Sequence, residues 1–167
     1  MDGRGVETAL SAGLSFAVLG VVAWATGAAF VFPSLGPSAF VLAFAEANER
    51  PRGATVVGGH VIGAVAGLLA YSLLAPGVAL TASIPAFSVA GLRLVASGIV
   101  SVGLTSWGMV AADTVHAPAC ATTLIVSLGL LSSPMGVGII VVSVVVLVAA
   151  HEVGRWTVAH SPVSADE

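Results

Sequence analysis

Residues 8–32 read TALSAGLSFAVLGVVAWATGAAFVF, a stretch without a single charged side chain and with apolar residues on every face of a helix. It is far longer than the roughly 7 to 15 apolar residues of a secretory signal core, so it reads as a retained helix crossing a bilayer. Composition extends that reading to the whole chain. Hydrophobic residues make up 57% of the 167 residues and charged residues only 8%, against roughly 25% charged in an ordinary soluble domain. Too little polar surface exists to face water, and the polar tail at 157–167 is too short to fold as a second domain. One transmembrane domain over 1–167 is the expectation.

Charge and cysteine content narrow the class. Five basic residues, all Arg, against eight acidic ones leave a formal charge of −3. That excludes a nucleic-acid footprint and a polybasic lipid tether. Cys120 is the one cysteine, so there is no internal disulfide framework. The expected partners are the lipid bilayer and a small solute, with no cofactor and no metal; a homo-oligomer is compatible with the pattern.

Working outward from the first span, three more segments reach the roughly 17 to 25 apolar residues that a crossing needs, near 54–75, 88–111 and 134–151. Two further apolar pieces, 38–47 and 119–131, are too short. Each follows a proline, Pro37 or Pro118, and each proline follows a stretch that reads as non-helical. Proline suits the first turn of a helix because its missing N–H is not needed there. The fold class is therefore all-α: a compact membrane bundle of four full-length transmembrane helices and two short, broken ones.

Sliding the chain so that Pro37 falls on Pro118 also brings Thr8 near Val89 and Ala54 near Met135. The element pattern repeats while residue identity does not, which predicts a structural repeat with halves at 8–75 and 88–151. If the two broken elements re-enter, four crossings leave the Arg50/Arg52 loop outside; if they also cross, three elements per half place the halves in opposite orientation. Arg4, Arg50, Arg52 and Arg155 then fall on one side, and the connection at 76–87 carries no charge. The positive-inside rule puts both termini in the cytoplasm, in what reads as a prokaryotic plasma membrane.

Inverted repeats with discontinuous helices build central sites in many transporters, because unwound backbone is tolerated at depth only where protein or water satisfies it. Here both short helices point their N-termini inward, each with unpaired N–H groups and about half a positive charge. Two such ends favour an anion. The expected backbone donors belong to Ser38, Ala39, Ala119 and Cys120. Hydroxyls of Ser34, Ser38, Thr122 and Thr123 are suited to join them, or simply to cap helices and bond carbonyls. His116 beside the second break is a candidate donor and proton carrier. His60 reads as a histidine satisfied by a carbonyl or as a member of the site. Asp113 reads as a structural cap, since a carboxylate repels an anion, with proton coupling as its second role.

Three further patterns concern packing. Gly59, Gly63 and Gly67 repeat at fourfold spacing, which predicts a face for close helix approach. Ser97, Ser101 and Thr105 repeat at the same spacing and read first as packing, second as a polar path. Arg93 reads as a side chain that snorkels to the headgroups.

The block GPSAFVLAFA from Gly36, the block RPRGATVVGGH from Arg50 and the block HAPACATTL from His116 resemble the HPP family of membrane proteins. The third block departs from that family's His-Pro-Pro at its middle position, Ala117, and keeps the proline that starts the helix, Pro118. The resemblance implies a nitrite transporter or a relative of one. Matched by position, it implies roles for Gly36, Pro37, Ser38, Ala39, Pro51, Arg52, Gly58, Gly59, His60, His116, Pro118, Ala119 and Thr123. An intramembrane enzyme is the weaker alternative: after His151-Glu152, the position that would complete a zinc-protease motif holds Arg155. A non-transporting assembly subunit is the other. The expectation is transport of a small anion, not catalysis.

Overall fold

The computed structural model describes residues 3–81 and 83–160, so residues 161–167 of the expected tail lie outside the described residues. Every regular element among them is helical: α1 Gly3–Thr26, α2 Leu35–Phe44, α3 Gly53–Leu74, α4 Val89–Ala111, α5 Ala119–Ser127 and α6 Pro134–Ala159. Four of these, α1, α3, α4 and α6, are long and apolar enough to cross a membrane. With 10 residues, α2 extends only about 15 Å at the helical rise. That is about half of a hydrocarbon core of roughly 30 Å, and α5 is of similar length.

Several boundaries differ from expectation, each for a local reason. Helix α1 stops at Thr26, not residue 32, because Gly27 takes a left-handed φ of +67° and the chain then runs irregularly to Ser34. Helix α2 starts at Leu35, two residues before Pro37; the proline sits inside the first turn, where it still lacks no needed bond. Helix α5 starts one residue after Pro118 and ends before Gly129, whose φ of +81° turns the chain. Helix α6 continues past residue 151 to Ala159, so the tail begins as helix, braced by an Arg155–Glu152 pair at 3.3 Å. Ser88 and Ser133 cap α4 and α6 by accepting the N–H of Gly91 and Gly136.

Helix α3 is the hub, packed against α4, α5 and α6, while α1 lies against α2 and α6. The closest approach is α3 on α5. A Cβ placed on Gly63 would lie 2.7 Å from the Ala119 carbonyl oxygen and from Thr123 Oγ1, and one on Gly67 would lie 2.7 Å from the Thr123 carbonyl oxygen. The fourfold glycine face therefore exists to admit the backbone of α5. A core of Leu19, Leu35, Leu42, Val56, Val126, Ile140, Val144 and Leu147 packs between α1, α2, α3, α5 and α6. Large apolar side chains such as Trp24, Leu73, Trp107 and Met135 point outward, as a lipid-facing surface requires.

Side-chain interactions order the two ends. At one end Arg4 pairs with Glu46 at 3.4 Å and lies over the Phe44 ring, and Arg50 donates to the carbonyls of Leu42 and Ala45. At the other, Arg93 donates to the Leu74 carbonyl at 2.9 Å, and the Leu80 N–H donates to the Leu128 carbonyl at 3.0 Å. Arg93 thus caps α3 instead of simply snorkelling. Helix α1 begins at the end where α2 finishes; α4 begins at the end where α3 and α5 finish.

Candidate functional site

The two breaks meet at α3. Ser34 stands at the N-cap of α2 and Ser38 one turn later; His116 lies three residues before α5 and Thr122 one turn into it; His60 projects from α3. Hydrogen bonds join all five. Ser34 Oγ is 2.7 Å from Thr122 Oγ1, Thr122 Oγ1 is 2.6 Å from His60 Nδ1, and Ser38 Oγ is 2.9 Å from His60 Nε2 and 3.0 Å from His116 Nε2. Ser38 also donates to the Ser34 carbonyl at 3.2 Å. The cluster is closed to solvent, with His60 at 0% and His116 at 3% exposure.

Donor counting orients the protons. Ser38 gives its one hydrogen to the Ser34 carbonyl, which accepts only, so both imidazoles donate Nε2–H to Ser38 Oγ. His60 Nδ1 then accepts from Thr122, which accepts from Ser34. One assignment satisfies every bond with both rings neutral, as a bilayer interior favours. His60 has both nitrogens engaged. His116 has no hydrogen bond at Nδ1 among the described residues.

Other expected members fall nearby or away. Thr123 bonds to Thr105 of α4 at 2.7 Å and to the Ala119 carbonyl, a second buried pair beside the first. Ser97 donates to the Ser127 carbonyl and Ser101 to that of Gly98, so this face of α4 packs on α5 and its own backbone. Ala39 and Ala119 are buried, Pro118 and Cys120 half-buried, and Gly36 and Pro37 face outward. Asp113 is exposed in a left-handed turn with φ of +52°, and no hydrogen bond ties it to the cluster.

The expected backbone donors need correction. The Ala119 N–H is taken by the His116 carbonyl at 2.9 Å and the Cys120 N–H by that of Ala117 at 3.1 Å. Because α2 begins at Leu35, Ser38 and Ala39 lie past its first turn, where N–H groups serve the helix's own ladder. Side chains, not main-chain N–H groups, form the polar surface. Thr105 reads with Ser97 and Ser101 as packing first and a polar path second; its pairing with Thr123 is not legible in that spacing. Among the described residues, no three His, Cys, Asp or Glu side chains are grouped to hold a metal ion. A groove of about 780 Å³ lies elsewhere, between α1 and α2 and lined by Arg4, Leu10, Phe40 and Phe44.

Four crossing helices enclosing a buried polar cluster at the junction of two half-length helices define an integral membrane protein with a polar interior. The chain belongs to the HPP transmembrane family: the family model described as HPP, transmembrane region, matches residues 4–160. Nothing among curated proteins or solved structures matches it.

Proposed function

We propose that this protein moves a small inorganic anion, nitrite first, across a prokaryotic plasma membrane, with the Ser38 cluster as its central station. The observation that carries the reading is the convergence of two imidazole Nε2 atoms on one oxygen, Ser38 Oγ, with donor counting making both of them N–H donors. An anion's oxygen is a stronger acceptor than a hydroxyl, so it can take that place between the same donors. The N-terminal ends of α2 and α5 add positive potential at the same point.

The opposed starting ends of α1 and α4 support an inverted relation between the halves, under which Arg4, Arg50, Arg52 and Arg155 mark the cytoplasmic side. An anion leaving water needs compensation, and a proton supplies it for a weak acid. His116 is the carrier, because its Nδ1 can take a second proton without breaking the chain of bonds. The test is initial flux into liposomes containing the purified protein, over nitrite, nitrate, formate, chloride and bicarbonate. Nitrite flux above protein-free vesicles, lowered by His116→Ala, is expected. Equal flux with and without protein for the whole panel overturns the reading.

A further inference from the structure

A second polar group stands at the end of the bundle that holds Arg4 and Arg155, separate from the Ser38 cluster. His151 on α6 is 3% exposed, and its Nε2 is buried with no hydrogen-bond partner among the described residues. A buried ring nitrogen left unmatched is costly, so its retention asks for a partner that arrives from outside. Two guanidinium groups stand nearby. Arg50 uses Nε and Nη2 on the carbonyls of Leu42 and Ala45, both at 2.9 Å, which leaves its Nη1 donors uncommitted. Arg155 shares Glu152 at 3.3 Å and is otherwise half-exposed.

Packing brings these groups together. A Cβ on Gly53 would meet Val148 Cγ1 at 2.7 Å, so the first turn of α3, three residues after Arg50, abuts α6 one turn before His151. Arg50 is held below its ordinary pKa, first by burial and then by the positive charge of Arg155, with Glu152 acting the other way. The two arginines are thus near enough to repel each other, and a bound anion would relieve that repulsion. The attraction is local. Among the described residues at this end, Arg4, Arg50, Arg52 and Arg155 face Glu7, Glu46, Glu49 and Glu152, and Arg4 is already paired with Glu46.

We propose that Arg50, His151 and Arg155 form a mouth that binds small inorganic anions before they reach the central cluster. Its role as an entrance rests on the transport reading; the binding itself does not. Arg50 also ties the mouth to α2, since the same guanidinium caps the C-terminal end of the helix that carries Ser38.

Trp156 follows Arg155 and is 63% exposed, which makes it a local reporter. In detergent-solubilised full-length protein with Trp24→Phe and Trp107→Phe, iodide quenching of Trp156 is expected to saturate and to be competed by chloride. Arg155→Gln is expected to weaken that quenching at least twofold, and Glu152→Gln to strengthen it, with quenching by neutral acrylamide unchanged in both. Arg50→Gln should act as Arg155→Gln does; the latter keeps the test valid if loss of the α2 cap prevents folding. Linear iodide quenching that ignores both Arg155→Gln and Glu152→Gln overturns the mouth. In liposomes, Arg155→Gln should raise the half-saturating nitrite concentration at least threefold while leaving the limiting flux intact. Saturable quenching without any wild-type flux removes the transport reading and keeps the anion site; normal flux with linear quenching does the reverse.

Discussion

Removing the Ser38 hydroxyl is the sharpest perturbation of this structure, because one oxygen serves the Ser34 carbonyl, His60 and His116. In Ser38→Ala two buried imidazole N–H groups lose their acceptor. By the desolvation cost of orphaned polar groups, about 1–3 kcal/mol each, the destabilisation would reach about 2–6 kcal/mol. Helices unfolded within a membrane or micelle find substitute partners, however, and interhelical bonds there average about 0.6 kcal/mol. The substitution removes two interhelical bonds of that modest strength and one bond within α2, so the expected cost is about 1.5 kcal/mol, or about a 10-fold shift in the unfolding equilibrium. The assay is equilibrium unfolding in mixed micelles titrated with a denaturing detergent, followed by circular dichroism. Ser143→Ala is the control. Ser143 is equally buried but bonds only to the Ile139 carbonyl of its own helix, at 2.7 Å, so its removal should cost less than about 0.5 kcal/mol. If Ser38→Ala costs no more than Ser143→Ala, Ser38 is not the hub that joins α2, α3 and α5.

Gly63→Ala places a methyl group 2.7 Å from the Ala119 carbonyl oxygen, where the neighbouring atom is backbone and cannot turn aside. It should destabilise the protein by about 1–3 kcal/mol in the same assay, whereas Gly20→Ala, whose Cβ would meet nothing within 4 Å, should change it by less than about 0.5 kcal/mol. Nitrite flux, corrected for protein-free liposomes at each pH, should rise as pH falls from about 8 to about 5. His116→Ala should flatten that profile more than His60→Ala, and identical profiles in wild type and His116→Ala would take His116 out of the proton pathway.

Much of the cluster can be nominated from the chain alone, because a serine, threonine or histidine beside a proline break at membrane depth is costly unless satisfied. Ser34, Ser38, His116 and Thr122 are nominated in this way and His60 as one of two readings, and hydrogen bonds join all five. Their partners are not legible. His60 reads either as a histidine on a backbone carbonyl or as a member of the site, and it joins Ser38 and Thr122, residues far from it in the chain. The backbone donors are misplaced because a proline marks a helix start only to within a residue or two. Moving the start of α2 to Leu35 turns Ser38 from a residue with an unpaired N–H into one that acts through its hydroxyl.

By itself the sequence determined the solvent and the elements: backbone in lipid is satisfied only in helices or closed barrels, and long unbroken apolar runs without alternation fit helices, so the spans, their number and the two short pieces follow from composition and length. Glycine spacing likewise announced that something packs closely on α3. What packs there is a tertiary matter. Only the folded bundle brings α5 against Gly59, Gly63 and Gly67, sets both imidazoles around one serine oxygen, and places Arg50 beside α6. The reason is geometric. A hydrogen bond needs its atoms within about 3 Å, and the bonds that decide this interior join residues 22, 62, 78 and 88 positions apart, a separation that no local pattern encodes.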